Sequence, residues 1–239
     1  MQIQVRKLRE TLALLSPVIP RKTTLPITCN SYFGHGVAVA TNLEVTARID
    51  LPEAEEPVLL HNKAVLDLLK NVPGDMVAEI FSAKDQPVTI VCGAVKATYH
   101  REDPEEFPPI GGDEDPKVQF QIDGDKLVDG LSMAVQYAAT ETTRPVLNAV
   151  CFSIAEDKSE VVGADGFRLF VKELSIKSQA WEKLPPATIL IPADTVHILE
   201  DMWRKAPKDI HPDLDAGVIG VALSKRMMGV GFNCGRRIL

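Results

Sequence analysis

The sequence has no long apolar run. Its 239 residues contain no uninterrupted stretch of about 18 apolar residues, the length that a helix needs to cross a bilayer. The opening segment MQIQVRKLRE lacks the apolar core of a signal peptide. With 45% hydrophobic and 25% charged residues, the composition is typical of a globular domain. We therefore expect a cytoplasmic protein without a membrane partner.

Cysteine and histidine are scarce and scattered. The four cysteines show no CxxC pair and no disulfide spacing, which predicts reduced, buried thiols. The five histidines form no HxxxH or HExxH pair, so we expect no metal site. GxSxG and glycine-rich phosphate loops are also absent. These absences predict no cofactor and no catalytic centre, and leave a small-molecule enzyme as a remote alternative.

The chain contains an internal repeat. Residues 7–33, KLRETLALLSPVIPRKTTLPITCNSYF, align without a gap on residues 126–152, KLVDGLSMAVQYAATETTRPVLNAVCF. VATNLEV then matches VGADGFR, and LLHNKAVLDLL matches LIPADTVHILE. Each copy predicts a helix, a strand pair around a polar turn, a second helix and further strands. We place the domains at 1–116 and 117–239, joined within the Pro-, Gly- and acid-rich segment 101–117.

The predicted helices are amphipathic, and their polar faces differ in charge. Apolar residues recur at helical spacing in all four segments. In the first copy the polar faces are basic, which indicates either a solvated surface or an anionic partner despite the net charge of −7. In the second copy, Lys126 is the only basic residue next to the apolar residues of the first predicted helix. The stripes are Leu8, Leu12 and Leu15; Val65, Leu66 and Leu69; Leu127, Leu131 and Val135; and Val196, Leu199 and Trp203.

A strong hairpin signal lies in VVGADGFRLFVKEL, residues 161–174. The Asp165–Gly166 pair between two strand-like runs predicts a tight turn in which Gly166 has a positive φ. Strand periodicity then sends Phe167, Leu169 and Val171 to one face of the sheet. Arg168, Phe170 and Lys172 are predicted on the opposite face.

Four segments together carry a family resemblance. TTLPITCN, VATNLEV, TRPVLNAV and VVGADGFRLFVKEL, in two similar domains, resemble the bacterial DNA polymerase III β subunit, the replicative sliding clamp. The resemblance implies an α+β fold of tandem clamp domains, each with two helices packed on antiparallel sheets. It also implies a non-catalytic ring that encircles duplex DNA and tethers the polymerase as a processivity factor.

The resemblance implies two sets of site residues. One set faces double-stranded DNA without reading its sequence, and the other binds short linear peptides of polymerase and clamp-loader subunits. For Leu147 and Leu169, plain core packing is the alternative. The DNA-facing set is Arg6, Arg9, Arg21, Lys22, Lys63, Lys70 and Lys126. The peptide-binding set is Arg144, Leu147, Gly166, Phe167, Arg168 and Leu169.

The sequence also departs from the family. Bacterial clamps have three domains and dimerise, whereas this sequence carries two, and its last strand aligns through Cys234 on Cys92 with its final residues missing. We interpret it as a clamp without its third domain, with a trimer of two-domain chains as the alternative. Ala164 and Phe167 replace the family's Thr and His, and Ala193 and Asp194 replace basic residues. A peptide-binding module that does not encircle DNA, or a non-functional clamp fragment, is the competing function.

Overall fold

A computed structural model divides the chain into two compact units, Met1–Asp113 and Glu114–Leu239. It describes residues 1–109, 120–141, 143–155, 158–179, 187–205, 218–223 and 230–233. The predicted boundary at 116/117 and the aligned pair Cys234–Gly235 lie outside these ranges. Among the described helices, none combines the length and apolarity that a membrane span requires.

The first unit contains two four-stranded antiparallel sheets and two helices. One sheet has the order β1-β6-β7-β8 and the other β4-β3-β2-β5. A 3-10 helix at Pro26–Cys29 precedes β2, and another at Pro104–Glu106 follows β8. The elements are β1 (Gln2–Gln4), α1 (Val5–Leu15), β2 (Asn30–Gly34), β3 (Val37–Thr41), β4 (Thr46–Asp50), β5 (Val58–His61), α2 (Asn62–Leu69), β6 (Val77–Phe81), β7 (Val88–Cys92) and β8 (Val95–Tyr99).

The helix pair of the first unit is fixed by its apolar stripes and by one buried amide. Leu8, Leu12 and Leu15 are fully buried, as the spacing predicts. The Nδ2 of buried Asn62 donates to the Leu12 carbonyl over 3.0 Å, and its Oδ1 accepts from Ser16 Oγ over 3.0 Å. The start of α2 is therefore bound to the end of α1.

The described residues of the second unit form one seven-stranded antiparallel sheet with the order β13-β10-β11-β12-β9-β14-β15. A 3-10 helix at Pro145–Asn148 precedes β10. The other elements are β9 (Phe120–Asp123), α3 (Gly124–Val135), β10 (Ala149–Ile154), β11 (Lys158–Ala164), β12 (Leu169–Gln179), β13 (Ala187–Pro192), α4 (Ala193–Lys205), β14 (Val218–Leu223) and β15 (Val230–Asn233).

The long strand β12 explains why the second unit has one sheet where the first has two. Its first part pairs with β11, and its last part, from Ile176 to Gln179, pairs with β9 across a register shift between Ile176 and Ser178. In the first unit the corresponding strand β4 ends at Asp50, and Pro52 follows two residues later. Proline has no N–H to donate to a ladder, so that strand cannot extend into the second sheet.

The stripes predicted for α3 and α4 are buried in the second unit, except for Val135, which is half-buried. Leu127 and Leu131 have no exposed surface, and Val196, Leu199 and Trp203 are buried on α4. The indole Nε1 of Trp203 donates to Asp125 Oδ1 over 2.8 Å, which holds α4 against the start of α3. The predicted α+β fold, with two helices on antiparallel sheets in each domain, is confirmed.

Candidate peptide-binding and DNA-binding surfaces

The hairpin between β11 and β12 is built around Gly166. Ala164 pairs with Leu169, and the Asp165 N–H donates to the Arg168 carbonyl over 3.3 Å. Gly166 is the first of the two central residues and has a φ of +93°, which confirms the predicted positive φ. Since a side chain is strained in this region, glycine is the residue that lets the chain reverse here.

Asp165 holds this turn in place. Its Oδ1 accepts the backbone N–H groups of Phe167 over 2.9 Å and of Arg168 over 2.8 Å. Its Oδ2 accepts from Arg168 Nε over 2.9 Å and lies 2.8 Å from Nη2. The backbone bonds from Phe167 and Arg168, followed by the Arg168 side chain, lower the pKa of Asp165 from 3.8 to about 2.

The Arg168 guanidinium contacts an aromatic ring as well as the Asp165 carboxylate. Its carbon lies 5.4 Å from the centre of the Tyr137 ring, and Tyr137 stacks on Phe170 with their centroids 5.4 Å apart. Arg168 and Phe170 therefore lie on the same side of the strand, as the alternation predicts. The side chain of Arg168 is still 60% exposed, so this positive charge is both oriented and accessible.

Apolar side chains project on the opposite side of the hairpin. Phe167 is 98% exposed and Leu169 is 66% exposed. Leu169 is thus not a core residue, which was the alternative interpretation of the sequence. Large apolar side chains exposed next to one another are costly in water and mark surfaces that bind other molecules.

The 3-10 segment before β10 lies beside the hairpin. A Cβ added at Gly166 would lie 3.5 Å from Arg144 Nη1, so Arg144 is at the turn. Leu147 is half-buried, and its carbonyl accepts from the Ala139 N–H over 2.8 Å. Val146, which the sequence did not single out, is 64% exposed on the same segment. The six predicted peptide-binding residues therefore lie on the 3-10 segment and on the adjacent hairpin of one unit.

The low pKa of Asp165 predicts a pH-dependent turn. Because the pKa is lowered in the fold, the contribution of Asp165 to turn stability is complete above its ordinary value of 3.8 and is lost as pH falls through about 2. The protection factors of the Phe167 and Arg168 amides, which are corrected for the intrinsic pH dependence of exchange, should stay constant down to about pH 4 and fall below it. Asp165→Asn keeps an acceptor oxygen but cannot titrate, so its exchange profile should lose this acid step. An identical acid step in the variant would contradict the assignment.

The basic residues of α1 lie near the end of α2. Arg6 is exposed, and its backbone N–H donates to the Gly74 carbonyl over 3.0 Å. Arg9 is half-buried, with Nη2 donating to the Val72 carbonyl over 2.6 Å. This bond to a residue 63 positions away could not be read from the helix pattern. It places part of the Arg9 guanidinium against the protein, away from an outside partner.

The remaining residues of the predicted DNA-facing set are all exposed. Arg21 and Lys22 lie in the loop after α1, Lys63 lies at the start of α2, and Lys126 lies in the first turn of α3. Lys70 follows α2, and its ammonium lies 2.6 Å from Asp67 Oδ1. Hydrogen bonding to Lys70 lowers the pKa of Asp67, so this carboxylate offsets part of the positive charge. The predicted DNA-facing residues of the first unit therefore lie on α1 and α2 or in the segments that come after these two helices.

Sequence reasoning missed the supporting roles of three residues at these surfaces. Asp165 and Tyr137 position Arg168, and Asp67 neutralises Lys70. Each acid is three residues from its base, a spacing that is visible in the sequence. Tyr137 carried no such signal, because its contact with Arg168 depends on how α3 packs against β12.

Comparisons with known proteins point to one family. Residues 121–228 match the family model described as "DNA polymerase III beta subunit, central domain". The beta sliding clamp of Staphylococcus epidermidis is 23% identical over 224 residues, covering 86% of this chain and 56% of its own length. The beta sliding clamp of Pseudomonas aeruginosa is 27% identical over 179 residues, covering 70% of this chain and 47% of its own length. The chain thus spans about half the length of these relatives.

Solved structures show the same fold. A putative DNA polymerase III beta subunit from Eubacterium rectale superposes with a TM-score of 0.84 at 14% identity, covering 99% of this chain and 62% of that one. The sliding clamp of Bacillus subtilis superposes with a TM-score of 0.82 at 17% identity, with the same two coverages. Sliding clamps are not enzymes. The chain is a distant homologue of the bacterial β sliding clamp.

Proposed function

We propose that this protein works as a sliding clamp, part of a ring that encircles duplex DNA and tethers a replicative polymerase. Polymerase and clamp-loader subunits would bind it through short linear peptides. Its distant homology to bacterial clamps supports this proposal, although the chain spans only 56% of the S. epidermidis relative. Ring closure, DNA binding and peptide binding are therefore all parts of the proposal.

The hairpin at residues 165–168 is the single observation that carries the proposal. It presents Phe167 and Leu169 to solvent on a turn that Asp165 fixes through hydrogen bonds and an ion pair. A rigid apolar edge costs little conformational entropy when a peptide binds. Arg168 and the nearby Arg144 add positive charge for polar groups of the peptide. This arrangement fits an extended peptide with aliphatic or aromatic anchors.

The helix pair of the first unit suits the DNA part of the proposal. A ring that slides must attract phosphates without reading bases, because base-specific hydrogen bonds would hold it at one sequence. Exposed Lys22 and Lys63 can supply such attraction through long, flexible side chains. We infer that these two residues contribute more than Lys70 and Arg9, because Lys70 is paired with Asp67 and Arg9 is bonded to the Val72 carbonyl.

Peptide binding tests the proposal directly. Leu169→Ala should lower the affinity for a fluorescein-labelled clamp-motif peptide with aliphatic and aromatic anchors by about tenfold or more, since burying a leucine is worth about 1.5–3 kcal/mol. The measurement is fluorescence anisotropy on the full chain. Leu43→Ala is the matched control, because Leu43 is 64% exposed in the corresponding hairpin of the first unit. Equal affinities of the two variants would contradict the assignment of Leu169 to the peptide-binding set.

One observation favours a second candidate, a peptide-binding module that does not encircle DNA. Part of the basic charge in the first unit is offset by Asp67, and Ala193 and Asp194 begin α4 where basic residues were expected from the family resemblance. The two candidates differ in whether the protein encircles the DNA. A ring should be retained on circular DNA and released when the DNA is cut, whereas the module should show no such difference.

A further inference from the structure

The helices of the two units begin in the same register. By the repeat, Val5 at the start of α1 corresponds to Gly124 at the start of α3. Asn62 at the start of α2 likewise corresponds to Ala193 at the start of α4. The loops after α1 and α3 both lead into a 3-10 helix that starts with proline. Positions on the two helix pairs and in these loops can therefore be compared one by one.

Four exposed basic positions of the first unit are exposed acidic positions in the second. The four bases all belong to the predicted DNA-facing set. One such exchange is ordinary on a solvated surface, but four in the same direction at matched positions reverse the charge of that surface. The matched pairs are Arg6 and Asp125, Lys22 and Glu141, Lys63 and Asp194, and Lys70 and Asp201.

The bases at the end of α4 are offset by carboxylates of the same helix. Arg204 Nη2 lies 2.7 Å from Glu200 Oε1, and Lys205 Nζ lies 3.0 Å from Asp201 Oδ2. Both pairs join residues four positions apart. A phosphate near α4 would therefore meet carboxylates where α2 presents ammonium groups.

Helix stability alone does not explain the bases of the first unit. An acidic side chain in the first turn stabilises a helix through the helix dipole, and a basic one opposes it. The first turns of α3 and α4 contain Asp125 and Asp194. Those of α1 and α2 contain no acidic residue, and Arg6 and Lys63 stand at the matched positions. The first unit therefore keeps bases where they weaken its helices, which indicates an anionic partner.

We propose that the first unit alone holds the phosphates of duplex DNA, and that the acidic helix surface of the second unit keeps them away. This inference rests on the proposed clamp function, because it requires both helix surfaces to face the same DNA. A carboxylate within a Debye length of a phosphate, about 8 Å at physiological salt, repels it. The acids of the second unit thus weaken the attraction without forming a binding site of their own.

Restoring the bases tests the inference. In the double variant Glu141→Lys and Asp194→Lys, each acid is replaced by the residue at the matched position of the first unit. The affinity of the full chain for a fluorescein-labelled duplex, measured by anisotropy at about 150 mM salt, should rise by about tenfold or more. The slope of log K against log salt should become steeper by about 2, because two phosphate contacts are added.

The control variant Glu56→Lys and Glu173→Lys makes the same change in net charge at exposed acids. Glu56 precedes β5, and Glu173 lies on β12 between Lys172 and Leu174. Those two side chains lie at Gly130 of α3, so strand alternation places Glu173 on the opposite face of the sheet. An equal gain in affinity for the control would assign the effect to net charge and overturn the inference.

The variants also separate this inference from the clamp function. An unchanged affinity for Glu141→Lys and Asp194→Lys, together with a loss for Lys22→Glu and Lys63→Glu, would overturn the inference and leave the clamp function intact. If neither pair alters DNA binding and circular DNA is not retained, the clamp function fails and the inference fails with it.

Photo-crosslinking locates the DNA independently of affinity. Glu10 on α1 and Asp129 on α3 occupy matched positions, and both are exposed. Benzoylphenylalanine in place of Glu10 should crosslink to duplex DNA, and in place of Asp129 it should give a much lower yield. That lower yield should rise when Glu141→Lys and Asp194→Lys are added. Equal yields from the two positions would overturn the inference, because DNA would then lie as close to the second unit as to the first.

Discussion

Replacing Gly163 by alanine is expected to unfold the second unit under conditions in which the first remains folded. Gly163 lies in β11, where α3 crosses the strand at very close range. An added Cβ would lie 2.0 Å from the carbonyl oxygen of Ala134 and 2.7 Å from its carbonyl carbon. Side chains can rotate away from such a clash, but this neighbour is backbone. Either the helix or the strand must move.

The Ala134 carbonyl cannot yield without further losses. It accepts hydrogen bonds from the N–H groups of Gln136 and Tyr137 at the end of α3. Tyr137 in turn supports Arg168 and stacks on Phe170. Overpacking a core typically costs about 1–3 kcal/mol, and a rigid backbone neighbour places this substitution at the upper end or beyond. A loss of about 3 kcal/mol corresponds to a fall in Tm of roughly 10 °C for a domain of this size.

Intrinsic fluorescence separates the two units in this experiment. Both tryptophans of the chain, Trp181 and Trp203, fall in the second unit, so tryptophan emission reports on that unit alone. Far-UV circular dichroism reports on both units. Gly130→Ala is the matched control, because the nearest atoms to its added Cβ belong to the side chains of Val161 and Lys172. A fluorescence midpoint that falls equally in both variants would contradict the close-approach argument.

The sequence predicted the features that depend on local spacing. The helix stripes follow from periodicity, and the buried Leu8, Leu12 and Leu15 show that this signal was sufficient. The positive φ of Gly166 follows from turn chemistry within a few residues. These elements were predictable because neighbours in the chain determine them.

The sequence could not predict the contacts that bring distant segments together. Residues 101–109 belong to the segment taken as a join without periodicity, yet Phe107 is buried against Tyr32. A single aromatic anchor leaves no periodic signal, so a covering segment resembles a linker. The bond from Arg9 to Val72 spans 63 residues and was equally hidden. Whether a face of a sheet is open or covered can therefore be learned only from the structure.

Reversing two charges on the helix side of the first unit should remove most DNA association. In the double variant Lys22→Glu and Lys63→Glu, two exposed cations become anions. Removing one ionic interaction with a phosphate lowers the slope of log K against log salt by about 0.9 on duplex DNA. The slope should therefore become shallower by about 2, and affinity at about 150 mM salt should fall by an order of magnitude or more.

A control variant with the same change in net charge separates the effect of where the charges lie from the effect of total charge. The double variant Lys84→Glu and Lys96→Glu makes the same change at exposed sites, one between β6 and β7 and the other on β8. If only net charge mattered, both double variants would lose affinity equally. If the helix side faces DNA, the second pair should retain nearly all of it. Equal losses, or an unchanged salt slope in the first pair, would contradict the placement.

Asp67 offers the opposite change within the same surface. Its carboxylate lies 2.6 Å from the Lys70 ammonium, and its lowered pKa keeps it charged at neutral pH. Asp67→Asn should therefore free Lys70 and strengthen retention on circular DNA, with a steeper salt slope. A gain cannot come from unfolding, whereas a loss can. Stronger DNA retention for Asp67→Asn, together with weaker DNA association for the Lys22–Lys63 double variant, would locate the DNA on the helix side. Damage to the fold would instead weaken DNA binding in both variants.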